Sequence, residues 1–201
     1  MFGLKLLTPA KNYLYYRWFY TSEGKLVVGG KSEDQNELVL KNFRKSNYTI
    51  MHTSKPGSPF MIIQTDSPSK KDLDEAAIFC AAFSKEWKNL KGSKGKISID
   101  IFKGNQIFKG KGMKTGTFGV KGKKKTVKVK PELVMIIQKG KLRAVPKVKI
   151  KEQVLVNINP GKMSKDDAVD KIAKKIKDKF HLPVSKDEVM QAIPSGSMSV
   201  K

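Results

Sequence analysis

Lysines alternate with β-branched residues in two runs of this chain, and the alternation limits what those runs can form. Residues 126–130 have the sequence Thr-Val-Lys-Val-Lys, and residues 147–151 repeat the arrangement as Lys-Val-Lys-Ile-Lys. Because successive side chains of a strand point to opposite faces, each run predicts a strand with an apolar inner face and a cationic outer face. The two runs therefore predict a sheet with a positively charged face.

The same part of the chain carries most of the charge. Residues Lys88 to Lys151 hold 20 Lys and Arg residues against two acids, Asp100 and Glu132, which gives +18 of the formal net charge of +23. A basic sheet face is suited to a polyanion, and for a protein in solution the commonest polyanion is nucleic acid. The alternative is a surface charged only for solubility, but such a surface would mix both signs instead of segregating them.

Length and composition set the frame for the fold. The 201 residues are enough for one sizeable core, or for a main domain with a small extension, and 39% of them are apolar, which favours a folded chain. One cysteine, Cys80, excludes a disulfide framework and fits a reducing cytosol. No apolar run approaches the roughly 20 residues that span a bilayer, and the opening residues are too short for a secretory signal. We therefore expect a cytoplasmic protein with no membrane partner.

Hydrophobic periodicity predicts an α+β fold, mainly an antiparallel twisted sheet or half-barrel with a packed helix, plus a small C-terminal α/β appendix. Strands are predicted over residues 13–20, 25–28, 48–51, 60–64, 97–102, 107–108, 118–120, 126–130, 133–138 and 154–158. Helices are predicted to begin at Ser32, Ser69, Ser164 and Ser185. The helix from Ser69 is expected to run to the turn at Gly92. The expected domains are residues 1–145 and a small extension over 146–201.

A segment rich in glycine and lysine, KGKGMKTGTFGVKGKKK over residues 109–125, indicates phosphate contact. Its glycines let backbone amides approach a ligand closely, and its lysines supply positive charge. The spacing is not that of a Walker A loop, and the segment lacks the strand–helix context of a dinucleotide fingerprint. The structural alternative is a glycine-kinked strand that ends in a charged hairpin tip.

Two further features suit nucleic acid. The loop over residues 52–58 offers a titratable ring, hydroxyls, a cation and backbone amides, a set able to hold a phosphate–sugar backbone. A simple hydrogen-bonding role for His52 is the alternative. In the second feature Arg17 lies beside Trp18 and Phe19, and aromatic rings that stack on bases contribute roughly 1–3 kcal/mol per base. Strand alternation places one of the two rings in the core, so at most one is available.

In this order the features resemble a known family. The matching segments are RWFYTSEGKLVVGG from Arg17, QNE at 35–37, His52, PGS at 56–58, an Ala-rich helix ending at Trp87, and TGTFGVKGKKK. Over about residues 13–137 they are similar to the NFACT-R domain, the RNA-binding module of the NFACT proteins. The resemblance implies a role in ribosome-associated quality control. In that role the protein is expected to bind tRNA, or the ribosomal RNA of the large subunit.

The sequence also departs from the family pattern. The N-terminal domain, helix–hairpin–helix segments and coiled coil of full-length NFACT proteins do not appear in it, which implies a standalone NFACT-R form of the kind associated with archaea. Pro59 follows the PGS motif where many relatives have another histidine. The extension over 146–201 lies outside the matched part, and we expect it to be available to a protein partner.

The predicted site combines the loop, the glycine- and lysine-rich segment and the arginine. The RNA-binding residues are Arg17, His52, Lys55, Gly57, Ser58, Lys109, Lys111, Lys114, Thr115, Gly116, Lys121, Lys123, Lys124 and Lys125. No cofactor, metal or catalytic residue is expected, because two histidines, one cysteine and no suitably paired carboxylates assemble neither a metal cluster nor a triad.

Three alternatives stay open at this stage. The first is a metal-independent ribonuclease that uses His52, Ser58 and the lysines, since such cleavage needs little more than an acid, a base and a cation. The second is a ribosomal RNA assembly factor without selectivity for tRNA. Binding of chromatin-type DNA has the least support, because no segment resembles a recognition helix for a major groove.

Overall fold

Strands and helices are interspersed along the residues that the computed structural model describes, 12–92, 95–148 and 150–201. The strands there are β1 Arg17–Tyr20, β2 Leu26–Gly29, β3 Thr49–Thr53, β4 Met61–Ile63, β5 Ile97–Lys103, β6 Ile107–Phe108, β7 Gly119–Val120, β8 Lys125–Val129, β9 Leu133–Gln138, β10 Lys141–Pro146, β11 Val156–Met163 and β12 Met198–Val200. The α-helices there are α1 Glu33–Phe43, α2 Lys70–Ala82, α3 Lys85–Leu90, α4 Lys165–Phe180 and α5 Lys186–Ala192. Helices mixed with open antiparallel sheets confirm the predicted α+β class.

The larger sheet has six strands in the order β1-β2-β4-β3-β5-β8, and every neighbouring pair is antiparallel. Strands β1 and β2, which lie within or next to the strands predicted over residues 13–20 and 25–28, form a hairpin. Helix α2 packs across one face, against β3, β4, β5 and β8. It begins with the predicted capping box: Ser69 accepts a hydrogen bond from the Asp72 amide, and the Asp72 carboxylate accepts one from the Ser69 amide. Cys80, on the buried side of α2, is inaccessible to solvent.

The opposite face of this sheet is covered by α1 and by the short β6–β7 pair. Strand β5 shows how period two assigns its residues to the two faces. Ile97 and Ile99 join the core beneath α2, whereas Phe102 joins a separate apolar cluster with Ile50, Val39 and other residues on the α1 side. Asp100 has the same parity as Phe102 and therefore belongs to the α1 face. The end of this face that α1 leaves open is where the polar side chains gather.

The second sheet has the order β10-β9-β11-β12, and α4 and α5 pack on it. Its core is continuous with the core beneath α2, since Leu133, Ile172 and Phe79 belong to one buried cluster. The amide of Gln138 in β9 also bridges to β1: Oε1 accepts from the Tyr20 amide at 2.7 Å, and Nε2 donates to the Tyr20 carbonyl at 2.8 Å. The expected domain boundary after residue 145 falls within this sheet, before Pro146, the last residue of β10.

The helix predicted from Ser69 to Gly92 is divided into two helices at Ser84. The Ser84 hydroxyl donates to the Ala81 carbonyl at 2.7 Å, and the Lys85 amide donates to the Gly57 carbonyl at 2.7 Å instead of continuing the helical ladder. The break between α2 and α3 therefore frees the Lys85 amide to hold the loop after β3 in place.

Other elements differ from prediction in their limits. Residues 13–15 form a 3₁₀ turn and not the start of a strand. Residues 126–130 do form a strand, β8, but no strand is assigned among the described residues of 147–151. Strands β10 and β12 were not expected. Strand β11 continues to Met163, beyond the predicted strand end at residue 158, with a register shift between Pro160 and Met163.

Candidate nucleic-acid interface

A cleft of about 540 Å³ lies at the open end of the α1 face of the larger sheet. It is bordered by the start of α1, by the loop after β3, by β5 and by residues 109–125, here called the lysine arm. The lining residues are Glu33, Asn36, His52, Thr53, Ser54, Lys55, Pro56, Gly57, Ser58, Phe60, Lys85, Asp100, Phe102, Thr115, Gly116, Thr117, Phe118, Val120, Gly122 and Lys124. The cleft thus brings together the loop over 52–58 and the lysine arm, which the sequence analysis singled out separately.

Asp100 organises the polar floor of the cleft. The strand register places it between His52 on β3 and Thr126 on β8. Its carboxylate accepts hydrogen bonds from the hydroxyls of Ser54 and Thr126, each at 2.7 Å, and forms an ion pair with Lys124. Burial alone would raise the pKa of Asp100, but the hydrogen bonds, that of Lys124 first, outweigh it and lower the pKa. Asp100 is therefore ionised at neutral pH and neutralises Lys124.

His52 is neutral at pH 7 and is held in a fixed orientation. Its ring centroid lies 4.6 Å from that of Phe60, and Nδ1 lies 2.7 Å from the Thr53 carbonyl oxygen, an acceptor that requires the proton on Nδ1. Burial lowers the pKa of His52 below its ordinary value of 6.5, and the opposing effects of Thr53 and Asp100 do not cancel it. His52 therefore gives the cleft an aromatic, polar wall and no charge.

The loop after β3 is fixed by its own hydrogen bonds. The Ser58 hydroxyl accepts from the Thr53 amide at 2.9 Å, and Ser58 is buried. Gly57 has φ +104°, a backbone conformation that side chains disfavour, and an added Cβ would lie 2.5 Å from the side chain of Lys85. Of the predicted loop residues, Gly57 and Ser58 thus shape the cleft wall, and the Ser58 hydroxyl is already occupied.

The lysine arm is attached to α1 through one carboxylate, that of Glu37. The Gly116 amide donates to Glu37 Oε1 at 2.9 Å, and Lys109 forms an ion pair with the same oxygen. Lys109 Nζ also donates to the carbonyls of Lys114 and Thr117, at 2.7 and 3.0 Å. Burial alone would raise the pKa of Glu37, but the bonds from Lys109 and Gly116 lower it. Lys109 therefore shapes the arm.

The lysines predicted to hold phosphates accordingly fall into two groups. Lys109 and Lys124 are each paired with a carboxylate. The others are exposed and, within the described ranges, none of them forms an ion pair: Lys111, Lys114, Lys121, Lys123 and Lys125. Gln106 Nε2 donates to the carbonyls of Lys121 and Lys123, at 2.8 Å each, and so fixes the backbone at two of these lysines. The Lys121 ammonium group also lies over the Phe108 ring, 5.0 Å from its centroid.

Lys55 lies at the opposite rim of the cleft. Its ammonium group is 3.7 Å from the Glu86 carboxylate, and its side chain is 77% exposed. An exposed pair at this distance contributes little free energy, so Lys55 can turn to a phosphate at small cost.

Strand β8 confirms the alternation from which the charged face was predicted. Val127 and Val129 are half-buried and pack against the core beneath α2, whereas Lys128, between them, is exposed on the opposite face. Lys125, at the start of β8, is also exposed, although it lies on the same side of the strand as the valines. β8 is an edge of the larger sheet, so these lysines continue the charge of the arm along the border of the molecule.

Arg17 does not line the cleft. Its guanidinium stacks on the ring of Phe83, 4.4 Å from the centroid. Trp18 and Phe19 are each only 1% exposed, so neither ring is available to stack on a base.

Sequence reasoning missed residues that the structure places in the cleft. Asp100 is one of the two acids in the basic stretch 88–151, and an isolated acid there was a usable signal for an ion-pair partner. Asn36 and Glu37 belong to the QNE motif, to which no role was assigned. Asn36 Oδ1 accepts from the Phe60 amide at 3.3 Å, and Glu37 anchors the arm.

Two kinds of feature are absent from the described residues. No helix among them is long and apolar enough to cross a membrane. Nor do they contain a group of three or more His, Cys, Asp and Glu side chains placed to hold a metal ion.

Comparisons with known proteins point in one direction. The family model of the NFACT protein RNA-binding domain matches residues 15–122. The archaeal Rqc2 homolog aRqcH of Methanocaldococcus jannaschii is 25% identical over 98% of this chain and 30% of its own length. Ribosome quality control complex subunit 2 of Schizosaccharomyces pombe is 28% identical over 68% of this chain and 14% of its own length. The Drosophila melanogaster NEMF homolog, a ribosome quality control complex subunit, is 31% identical over 54% of this chain and 11% of its own length.

The fold also has a relative among solved structures. The C-terminal part of the fibronectin/fibrinogen-binding protein from Streptococcus suis superposes with a TM-score of 0.52 at 22% identity, over 58% of this chain and 45% of that one. At this identity the likeness concerns the fold alone. This chain spans less than a third of the length of the curated relatives described above. The family match covers more than half of the chain and includes most of the lysine arm and every residue that lines the cleft except Lys124. The chain belongs to the NFACT protein RNA-binding domain family.

Proposed function

We propose that this protein binds structured RNA through its phosphates, and that its preferred RNA is tRNA, in cytoplasmic ribosome-associated quality control. The observation that carries the proposal is the row of exposed, unpaired lysines on an arm fixed beside a polar cleft. Family membership and the names of the relatives, which are ribosome quality control proteins, support the same role.

In this proposal the lysine arm and the cleft contribute to RNA binding in different ways. Lys111, Lys114, Lys121, Lys123 and Lys125 supply charge to the phosphate backbone, which is the main source of affinity in nucleic-acid binding. The cleft receives the sugar–phosphate chain between Thr115 and Gly116 on one side and the loop with Lys55 on the other. Neutral His52 presents a polar ring to the same space.

The ribonuclease alternative has less support than binding. The Ser58 hydroxyl is buried and already accepts a hydrogen bond, and the lowered pKa of His52 leaves it uncharged at neutral pH, so it is a poor proton donor there. Cleavage of a labelled tRNA that disappears in His52→Ala would restore the alternative. Intact RNA after long incubation at high protein concentration would exclude it.

Salt dependence of RNA binding tests the assignment of the site. In the triple variant Lys111→Ala, Lys123→Ala, Lys125→Ala, the slope of log affinity for tRNA against log salt should shrink by about 0.7–0.9 for each phosphate that the variant no longer neutralises. Lys124 is left intact because its removal would unpair Asp100 and disturb the floor of the cleft.

A matched control removes the same charge elsewhere. Lys171, Lys177 and Lys179 are exposed on α4, form no ion pair within the described ranges, and lie on a helix that packs against α5, β11 and β12 and does not line the cleft. Their replacement by Ala should leave the slope unchanged. Equal slopes for the arm variant and the wild-type protein would refute the assignment of the arm, and equally reduced slopes in the two triple variants would mean that only net charge matters.

Competition separates tRNA binding from general RNA binding. Folded tRNA should displace a labelled tRNA at lower concentration than duplex RNA or duplex DNA, and the difference should persist near physiological salt. If duplex RNA competes equally well, docking on ribosomal RNA without selection of tRNA becomes the better description. If duplex DNA also competes equally, the selectivity does not reside in this chain.

A further inference from the structure

A second cluster of cations lies where the two sheets meet, away from the lysine arm. Arg17 comes from β1, Arg143 from β10 and Lys31 from the segment just before α1. The three side chains line one small pocket together with Phe83 and Gln191. We call Arg17, Lys31 and Arg143 the junction cluster.

None of the three side chains of the junction cluster forms an ion pair in the described part of the chain. Arg17 stacks on Phe83 at 4.4 Å and Arg143 on Trp18 at 4.7 Å, but no carboxylate there forms an ion pair with either guanidinium or with Lys31. The Nε of Arg143 is buried and has no hydrogen-bond partner among the residues that the structure describes. A buried donor without an acceptor is uncommon in folded proteins and indicates a missing partner.

The three cations also repel one another. Burial lowers the pKa of Arg17 to about 10 and lowers that of Arg143. The pKa of Lys31 is lowered first by burial and then by repulsion from Arg17 and Arg143. All three groups remain charged at neutral pH, since their ordinary pKa values are far above 7. Arg17 and Arg143 are half-buried and Lys31 is exposed. A group of like charges becomes favourable when an anion joins it, and two guanidinium forks suit the oxygens of a phosphate.

The junction cluster adjoins the cleft along the chain in two places. Phe83 lines the pocket and Lys85 lines the cleft; likewise Lys31 lines the pocket and Glu33 the cleft. Each pair is two residues apart, a span of at most about 7 Å. A single RNA strand is therefore long enough to contact the cleft and the junction cluster at the same time. The pocket itself has a volume of about 10 Å³, enough for about one oxygen atom, so a phosphate would sit at its mouth.

We propose that Arg17, Lys31 and Arg143 form a second phosphate site, which receives a backbone phosphate of the RNA held in the cleft. This inference rests on the proposed function and adds to it a contact that is half-buried and made by arginine forks. It differs from the lysine arm in chemistry, because geometry and hydrogen bonding contribute here in addition to charge.

The test compares charge removal with charge-preserving changes in the full chain. Arg143→Met keeps an apolar side chain and removes the guanidinium together with its stacking on Trp18, whereas Arg143→Lys keeps the charge. The expected result for Arg143→Met is a salt slope for tRNA smaller by about 0.7–0.9, and for Arg143→Lys an unchanged slope with weaker affinity, because the fork is absent. Lys31→Met gives the same test at a residue outside both sheets. The proposal can therefore still be tested through Lys31 if the Arg143 variants fold poorly.

The outcomes separate this proposal from the proposed function. If the arm variant has a reduced slope while Arg143→Met and Lys31→Met retain the wild-type slope, the junction site is refuted and RNA binding by the arm stands. If all three variants retain the wild-type slope, both proposals fail. In a separate experiment, inorganic phosphate is titrated into the protein while the Arg143 Nε–Hε signal is followed by NMR. Saturation by inorganic phosphate without any tRNA-induced change at Arg143 would overturn the assignment to RNA in favour of a small anion.

Discussion

Two glycines of the lysine arm have the same backbone conformation but different neighbours. Gly112 has φ +82° and open space where a Cβ would be, whereas Gly116 has φ +76° and Glu33 of α1 within 2.7 Å of that position. Gly116 is thus required for two reasons, its left-handed backbone and its close approach to α1. Gly112 is required for the first reason alone.

This difference predicts the result of a matched pair of substitutions. Gly112→Ala should cost about 1–2 kcal/mol of stability, from backbone strain. Gly116→Ala should cost about 1–3 kcal/mol more, because the arm must move away from Glu33, and it should also weaken RNA binding. Denaturant unfolding and tRNA affinity measure the two effects. Equal reductions of stability and affinity in the two variants would show that the arm does not depend on its contact with α1.

His52 predicts a pH dependence with a definite sign. Its pKa is lower in the folded protein than the ordinary value of 6.5, so the unfolded chain binds the proton more readily. The contribution of His52 to stability is therefore complete above pH 6.5, declines as the pH falls from 6.5 towards the folded pKa, and is constant below that.

The comparison of wild-type protein with His52→Gln isolates this contribution. The difference in unfolding free energy between the two should be constant above pH 6.5 and should shift against the wild type below it. NMR titration of the ring gives the folded pKa directly. A folded pKa at or above 6.5, or a stability difference that does not change with pH, would contradict the buried, neutral histidine.

At the scale of elements, sequence periodicity predicted those helices and strands that depend on residues close together in the chain. The β1–β2 hairpin, the capped starts of α2, α4 and α5, and the alternation in β8 all follow from patterns within a few residues. Strand β10 was missed because its hairpin turn, Lys139 with φ 52° and Gly140 with φ 69°, begins with a lysine where Asn, Asp or Gly is the usual signal. Strand β12 has three residues and pairs with β11 across α4 and α5, a contact that no local pattern contains.

The candidate site shows the same limit. Its segments were predicted because glycine, lysine and turn residues are concentrated in them. Which lysines are free was not predictable, because the partners of Lys109 and Lys124 are 72 and 24 residues away in the sequence. Stacking of Arg17 on Phe83 likewise depends on the packing of β1 against the end of α2, and not on the residues beside Arg17.

At the scale of the whole molecule, the C-terminal residues complete a shared core. β9 pairs with both β10 and β11, and apolar residues of α4 and α5 belong to the buried cluster that includes α2. The Trp87 ring also donates to the Ser197 carbonyl at 3.2 Å, which ties α3 to the segment before β12. The packing therefore does not stop at the boundary predicted after residue 145.

A shortened chain tests this dependence. A fragment ending at Pro146 keeps the cleft and the arm but exposes the apolar surface that β11, α4 and α5 cover, and it should lose cooperative unfolding. Addition of the separate fragment 147–201 should restore part of the structure, as seen by circular dichroism. Cooperative unfolding of the first fragment alone, at wild-type stability, would establish two independent domains.

The position of β8 has a consequence for self-association. An edge strand exposes unpaired backbone groups that invite a strand from a second chain. At one edge of the larger sheet, Gln138 occupies backbone groups of Tyr20 in β1. At the other edge, β8 presents Lys125 and Lys128, and a second copy approaching there would bring the same charges with it. The cations that we propose to attract a polyanion should thus also keep concentrated copies of the protein from joining edge to edge.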